Sequence, residues 1–160
     1  MLATILQYER RFEEAAQEFA KALELDPNDA DCWGLKSDCS LLSGNPEQSL
    51  AEIEKAFRLN PIPLDWYYLL KGQAQYALRQ YEAAVQTLRH ETTYRTHSRR
   101  FLAASLAQLG RIDEARREAK MFILTNPVFR ISYWATTQPF QDRGLLDHFV
   151  EGYRKAGLPE

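Results

Sequence analysis

The 160-residue chain has few residues of several kinds, and each shortage limits what the protein can be. It has two cysteines, a net charge of only −2 and no long apolar run. No run approaches the roughly 18 apolar residues of a membrane-spanning helix. The near-neutral charge argues against a nucleic-acid surface, which needs clustered basic side chains. The N-terminus has no basic region followed by an apolar stretch, so we predict no signal peptide and expect a cytoplasmic protein.

Residue patterns typical of enzymes and metal sites are also missing. Cys32 and Cys39 are seven positions apart on one predicted helix, roughly 10 Å by helical rise, which is too far for a disulfide. Cys39 is therefore expected to be a small core residue rather than a reactive thiol. There is no phosphate-binding glycine loop, zinc-protease helix or serine-hydrolase motif. The histidines have no metal-ligand spacing: His90, His97 and His148. We expect no catalytic residue, metal or cofactor.

Apolar residues make up 45% of the chain, which favours a folded core. The segment from Arg11 to Pro27 has apolar residues at helical spacing, with Phe12, Ala15 and Phe19 on one face. Pro27 ends this helix, because proline cannot continue the hydrogen-bond ladder.

The same pattern returns at intervals of 34, 35 and 31 residues, with Pro46, Tyr81 and Ile112 at the place of Phe12. A period near 34 residues with recurring Ala and a terminating Pro resembles the tetratricopeptide repeat. Further matches to that pattern are Trp33, Tyr68, Gly72 and Leu102. The resemblance implies an all-α fold, a right-handed superhelix of about four helical pairs with a C-terminal capping helix.

The repeats divide the chain into two parts. Residues 1–129 would hold the tetratricopeptide repeats, at about 1–29 (incomplete), 30–63, 65–95 and 96–129, and residues 130–160 the capping helices. Because the pattern starts inside a repeat, we expect a C-terminal piece of a longer protein, the alternative being a short N-terminal cap.

Three joints can be predicted in more detail. Asp65 is expected to cap the helix that follows it, and a tight turn is expected between Arg89 and His97. Asp142 is expected to cap a final amphipathic helix that acts as a lid on the last pair. Its apolar face is Leu145, Leu146, Phe149, Val150 and Tyr153.

A second resemblance covers roughly residues 55–160. The segments LNPIPLDWYYLLKGQAQYALRQYEAAV, RRFLAASLAQLGRIDEAR and PFQDRGLLDHFVEGYRKAGLPE are similar to the C-terminal region of bacterial class III adenylate/guanylate cyclases that carry tetratricopeptide repeats. In those proteins a catalytic domain lies upstream. This chain lacks the metal-binding carboxylate pair and the strand pattern of such a domain, so the resemblance implies a non-catalytic, regulatory signalling module. The alternatives are a free-standing adaptor that assembles a complex and, less favoured, an enzyme.

The first helix of each pair in such a stack lines its concave side, where we expect a protein or peptide segment to bind. Trp66 and Phe101 have an equally plausible alternative as ordinary packing. The family's Lys/Asn/Arg clamp for chaperone C-termini is absent, because the matching places hold Gly34, Asp38, Leu70 and Gln73. The expected groove residues are Asp31, Leu35, Asp38, Trp66, Leu70, Gln73, Tyr76, His97, Arg100 and Phe101.

Two other surfaces remain open as binding sites. One is the convex face. The other is the N-terminal edge at Leu2, Ile5 and Leu6, through which the chain could associate with itself. We expect neither a nucleic acid nor a membrane as a partner.

Overall fold

A computed structural model describes residues 2–91 and 98–160. Within these ranges the chain forms ten α-helices and no β-strand, which confirms the all-α prediction. The helices are α1 (Leu2–Tyr8), α2 (Phe12–Leu25), α3 (Ala30–Leu42), α4 (Pro46–Leu59), α5 (Asp65–Ala77), α6 (Tyr81–Leu88), α7 (Arg99–Gln108), α8 (Ile112–Thr125), α9 (Ile131–Thr137) and α10 (Arg143–Ala156). None of these helices is both long and apolar enough to cross a membrane.

Consecutive helices pack as pairs, and each pair packs on the next to form the solenoid. Helix α2 shows why the repeat has its pattern: its buried face is Phe12, Ala15, Phe19 and Leu23. Ala22, which the spacing places near this face, is exposed. Two phenylalanine rings seven positions apart, with alanine between them, let the neighbouring helices approach closely.

The turns inside the four pairs share one backbone conformation. Gly44 and Gly110 have φ values of +94° and +75°, a region that glycine adopts without steric conflict. Arg10 and Arg79 take the same place in the other two turns with φ values of 63° and 60°. The turn geometry is therefore set by the repeat rather than by glycine alone.

Two of the predicted joints need correction or lie beyond description. Helix α5 begins with Asp65 itself, and Leu64 holds the cap position without a side-chain hydrogen bond. The predicted turn between Arg89 and His97 falls largely outside the described residues, since 92–97 are not described.

The C-terminal helix starts and ends as expected. The side chain of Asp142 accepts a hydrogen bond from the backbone N–H of Leu145, and Gly157 ends the helix in the left-handed conformation, with a φ of +84°. The predicted apolar face is buried along its whole length. Helix α10 packs against the last pair, mainly on α7, but it also reaches α5. It therefore lies over the concave side as well as over the end of the stack.

A connector of five residues, 138–142, links α9 to α10 and touches the N-terminal half of the chain. The backbone N–H of Gln141 donates to the carbonyl of Leu42 at 2.8 Å. The guanidinium of Arg10 donates to the carbonyl of Gln138 at 3.3 Å. The C-terminal cap thus joins the two ends of the solenoid.

Candidate functional site on the concave face

The structure divides the expected groove residues into open and covered ones. Asp31 and Leu35 are exposed, and four more side chains are partly exposed: Asp38, Leu70, Gln73 and Arg100. Tyr76 and Phe101 are buried, while His97 lies outside the described residues. The open residues come from α3, α5 and α7, the first helices of three successive pairs.

Tyr76 and Phe101 are covered by α10, so neither faces a partner in this conformation. The hydroxyl of Tyr76 donates to the backbone carbonyl of His148 at 2.9 Å and accepts from the Gln108 side chain at 3.2 Å. Burial is the main reason why its pKa is raised. The ring of Phe101 meets Phe149 edge to face, with centroids 5.9 Å apart. The expectation that these two residues line an open groove is therefore corrected.

Trp66 packs against a neighbouring helix rather than standing free in the groove. A Cβ atom at Gly34 would lie 2.6 Å from the Trp66 ring, so only glycine leaves room for this contact. The ring is also 4.3 Å, centroid to centroid, from that of Tyr67. The packing alternative describes Trp66 well, although one part of the side chain is still exposed.

The acidic end of the concave face is held by two hydrogen bonds. Asp31 accepts from the hydroxyl of Tyr67 at 2.6 Å, and burial together with this bond raises the pKa of Tyr67 to about 12. Asp38 accepts from the side-chain amide of Gln7 at 2.7 Å. Burial raises the pKa of Asp38 from 3.8 to about 6, against the opposing effect of Gln7.

The basic end is Arg100, whose guanidinium lies among aromatic rings. Its Cζ atom is 4.6 Å from the ring centroid of Phe101 and 5.8 Å from that of Trp134. Tyr8, which is 59% exposed, connects this end to Asp38. Burial and Asp38 raise the pKa of the Tyr8 hydroxyl and Arg100 lowers it, so the three side chains share one region of the concave face.

Sequence reasoning missed Gln7, Tyr8 and Trp134 as members of this region. Gln7 and Tyr8 belong to the short helix α1, and their helical phase could have pointed to the concave side. No signal in the sequence marks Trp134, because its position depends on how α9 packs.

Other candidate sites look less promising. Burial raises the pKa of the Cys39 thiol to about 11, so it stays protonated and weakly nucleophilic. Within residues 2–91 and 98–160, no three His, Cys, Asp or Glu side chains form a group that could hold a metal ion. At the N-terminal edge Leu2 and Ile5 are exposed, whereas Leu6 is only 5% exposed and belongs to the core. That edge is therefore smaller than the sequence suggests.

The fold and its concave side define a class, the helical-repeat solenoids. Residues 6–61 match the family model described as Tetratricopeptide repeat. Among solved structures, the chain is similar to MamA, with a TM-score of 0.67 at 20% identity over 98% of this chain and 92% of the other. It is also similar to YrrB, described as "a TPR protein with an unusual peptide-binding site", with a TM-score of 0.65 at 21% identity over 96% and 80% of the two chains. These likenesses confirm the tetratricopeptide solenoid fold.

Two curated relatives share part of this sequence. The Protein SGT1 homolog of Bos taurus is 36% identical over 73 residues, which are 46% of this chain and 21% of the relative. Hsp70-Hsp90 organizing protein 3 of Arabidopsis thaliana is 24% identical over 109 residues, 68% of this chain and 19% of the relative. The chain thus spans about a fifth of the length of either relative.

Proposed function

We propose that this chain is a non-catalytic protein-interaction module that binds a protein segment on the open part of its concave face. The observation that carries the proposal is the run of incompletely buried side chains across three successive first helices, from Leu35 through Leu70 to Arg100. A surface of this kind suits an extended or helical segment. The peptide-binding site for which YrrB is described and the name of the Hsp70-Hsp90 organizing relative support it.

The binding mode differs from chaperone-tail capture. The places that match the Lys/Asn/Arg clamp hold no cation, and one of them, Gly34, lies directly beneath the ring of Trp66. We therefore favour a different class of segment from a chaperone C-terminus.

The preferred context is a regulatory module at the C-terminal end of a bacterial cyclase-like signalling protein, working in the cytoplasm. The resemblance over residues 55–160 supports this context. The alternative is a free-standing adaptor that assembles a complex, with Leu2 and Ile5 as a possible contact between copies. The gene sequence upstream of Met1 separates the two, since an open reading frame without a catalytic domain would rule out the cyclase context.

An enzyme is the less favoured reading. The purified chain should turn over neither ATP nor GTP in the presence of metal ions. Metal-dependent turnover that is lost on a point substitution within the chain would contradict the non-catalytic proposal.

The binding proposal is tested by a quantitative pull-down from the source organism with matched variants. Leu35→Glu places a charge on the concave face, and Ala51→Glu places the same charge on an exposed position of α4. We expect the first variant to lose the partners of the parent chain and the second to keep them, with equal helicity by circular dichroism. If both variants recover the same partners, the concave face is not the binding site.

A further inference from the structure

Arg100 is a partly buried cation that lacks a counter-ion within the described residues. It forms no ion pair there, and its Nε atom is buried without an acceptor. Two other partly buried cations are paired with carboxylates: Lys36 with Glu52 at 2.6 Å, and Arg99 with Glu118 at 2.8 Å. A guanidinium without a counter-ion at such a position is unfavourable, because the loss of hydration raises the free energy of the charge unless an acceptor replaces the water.

Two aromatic side chains that carry polar hydrogens, Trp134 and Tyr153, lie next to Arg100. Trp134 is 7% exposed, and its indole N–H has no hydrogen-bond partner among the described residues, while Tyr153 is fully buried. The two rings lie 4.9 Å apart, and the Arg100 Cζ atom is 5.8 Å from the Trp134 ring. Burial raises the pKa of Tyr153, whereas the charge of Arg100 and a side-chain hydrogen bond between the two groups lower it, so the hydroxyl is a neutral neighbour of the guanidinium. The guanidinium therefore has a neutral hydrogen-bonding partner but no carboxylate partner among the described residues.

The chemistry of the cluster selects among anions. A guanidinium with its planar fork matches a carboxylate, and the flanking aromatic faces suit the apolar stem of a glutamate side chain. Among the described residues, a phosphate dianion would meet a single cation here, with Asp38 in the same region of the concave face. Asp31 and Asp38 also oppose a run of acidic residues along the groove. One acidic side chain among neutral or basic neighbours fits best.

We infer that the concave face recognises a protein segment through one acidic side chain, whose carboxylate binds the guanidinium of Arg100. The inference rests on the proposed function, because it names the kind of segment that the interaction module takes. This site differs from the family's clamp in two ways. It is formed by α7 and the C-terminal cap, and its ligand is a side chain within a segment rather than a chain's C-terminal carboxylate.

An array of immobilised 12-residue peptides of random sequence tests the inference with the labelled full chain. Bound peptides should be enriched in Asp or Glu at one position. For the tightest peptide, replacing that Glu by Gln should weaken binding to the parent about tenfold or more, as expected for the loss of a charge-assisted pair. The same replacement should change the affinity of the peptide for the Arg100→Gln variant by less than about twofold.

Two controls keep the result interpretable. Arg117→Gln removes an equal charge from an exposed position of α8 and should behave like the parent. Because Arg100→Gln could also disturb the aromatic cluster, the side-chain Nε–H resonance of Arg100 is followed in the unsubstituted protein. It should shift with the Glu peptide and stay in place with the Gln peptide.

The outcomes are distinct. Peptide binding without an acidic preference, or an equal Glu→Gln effect in the parent and in Arg100→Gln, overturns the inference and leaves the proposed function standing. An Arg100 resonance that ignores the Glu peptide also overturns it. If no peptide binds, the proposed function fails and the inference fails with it.

Discussion

Two acidic side chains differ in how many hydrogen bonds replace the water that they lose on folding. Glu52 is 5% exposed and receives three hydrogen bonds, from Lys36 at 2.6 Å, Ser40 at 2.6 Å and Gln48 at 2.9 Å. Asp38 receives one, from the neutral side chain of Gln7. Because a single neutral donor replaces little of the lost hydration, burial dominates at Asp38 and raises its pKa to about 6.

Asp38→Asn should therefore stabilise the protein above pH 6. The folded-state pKa of about 6 is above the ordinary value of 3.8, so the native state binds more protons between these values. The contribution of Asp38 to stability is present below about pH 4 and is lost as the pH rises through 6. Asparagine keeps an acceptor for Gln7 and has no charge. The gain at pH 7.5 should be about 1–3 kcal/mol, at about 1.4 kcal/mol per pKa unit.

Urea unfolding of both proteins between pH 4 and pH 8 measures this effect. The difference in unfolding free energy should shrink towards pH 4, where Asp38 is protonated in the folded protein. The matched control is Asp147→Asn, at an exposed position of α10, which should not show a comparable gain above pH 6. A constant difference between Asp38→Asn and the parent across the range would contradict the raised pKa.

Gly152 is required by a neighbour that is distant in sequence. A Cβ atom at this position would collide with the hydroxyl of Tyr76, which already donates to His148. Gly152→Ala should therefore lower the unfolding free energy by about 1–3 kcal/mol, the usual effect of overpacking a core. This loss outweighs the gain of less than about 1 kcal/mol in helix propensity.

A double-mutant cycle isolates the collision. Tyr76→Phe removes the oxygen that an alanine would meet, so Gly152→Ala should be less destabilising in the Tyr76→Phe background than in the parent. Thermal unfolding of the four proteins gives the coupling free energy. Additive effects of the two substitutions would show that the hydroxyl is not the obstacle.

At the scale of elements, α10 has two structural roles. It closes the last pair, which the amphipathic pattern predicts, and it covers the concave ends of α5 and α7, which the pattern does not predict. Among the described residues of the concave face, the second role leaves the strip from Asp31 to Arg100 open. Helix α10 thereby determines how much of the concave face a partner can reach.

Phe149 is the residue on which this attachment depends most. It is fully buried, and its ring contacts those of Tyr76, Phe101, Trp134 and Phe140. Phe149→Ala should lower the unfolding free energy by about 3–5 kcal/mol, the usual loss for a large core aromatic.

The matched control lies on the neighbouring helix α9. Tyr133 is 73% exposed, so Tyr133→Ala should change the unfolding free energy by less than about 0.5 kcal/mol. Both variants are compared with the parent by urea unfolding. Equal effects of the two substitutions would mean that α10 is not anchored through Phe149.

The helices could be predicted from the sequence because each repeat contains the same spacing of apolar residues and similar helix-ending residues. The bounds of α2, α3, α4 and α8 follow from that spacing together with Pro46, Gly44 and Gly110. The surface against which α10 packs could not be predicted in this way. An amphipathic pattern shows that one face of a helix is buried, but the covering surface depends on tertiary contacts such as that between Tyr76 and His148. For the same reason the sequence indicated a concave groove but not that α10 covers the part of it at Tyr76 and Phe101.

At the scale of the whole molecule, the C-terminal cap changes the connectivity of a repeat array. In a simple solenoid each repeat touches only its neighbours, so the two ends can unfold separately. Here the 138–142 connector bonds to Leu42 and to Arg10, and the main core cluster runs from Ala3 to Leu158. Contacts between distant repeats should couple the unfolding of the two halves.

We therefore predict that the chain unfolds in urea as one cooperative unit. The tryptophans report on different regions, because Trp33 and Trp66 lie in α3 and α5, and Trp134 lies in α9. In Trp134→Phe the fluorescence reports on the N-terminal half, and in the Trp33→Phe/Trp66→Phe double variant it reports on the C-terminal cap. Within each protein the fluorescence midpoint should coincide with the far-ultraviolet circular dichroism midpoint.

Breaking the connector should separate these transitions. Gln141→Pro removes the N–H that donates to Leu42, whereas Gln141→Ala keeps it and changes only an exposed side chain. The proline substitution is made in each tryptophan background. We expect the fluorescence midpoint reported by Trp134 to fall to a lower urea concentration than the midpoint reported by Trp33 and Trp66, because the cap then stabilises only the last pair. The alanine variant should keep coincident midpoints. A parent chain in which the Trp134 region already unfolds first would show that the connector does not couple the halves, and that the repeats behave as a linear array.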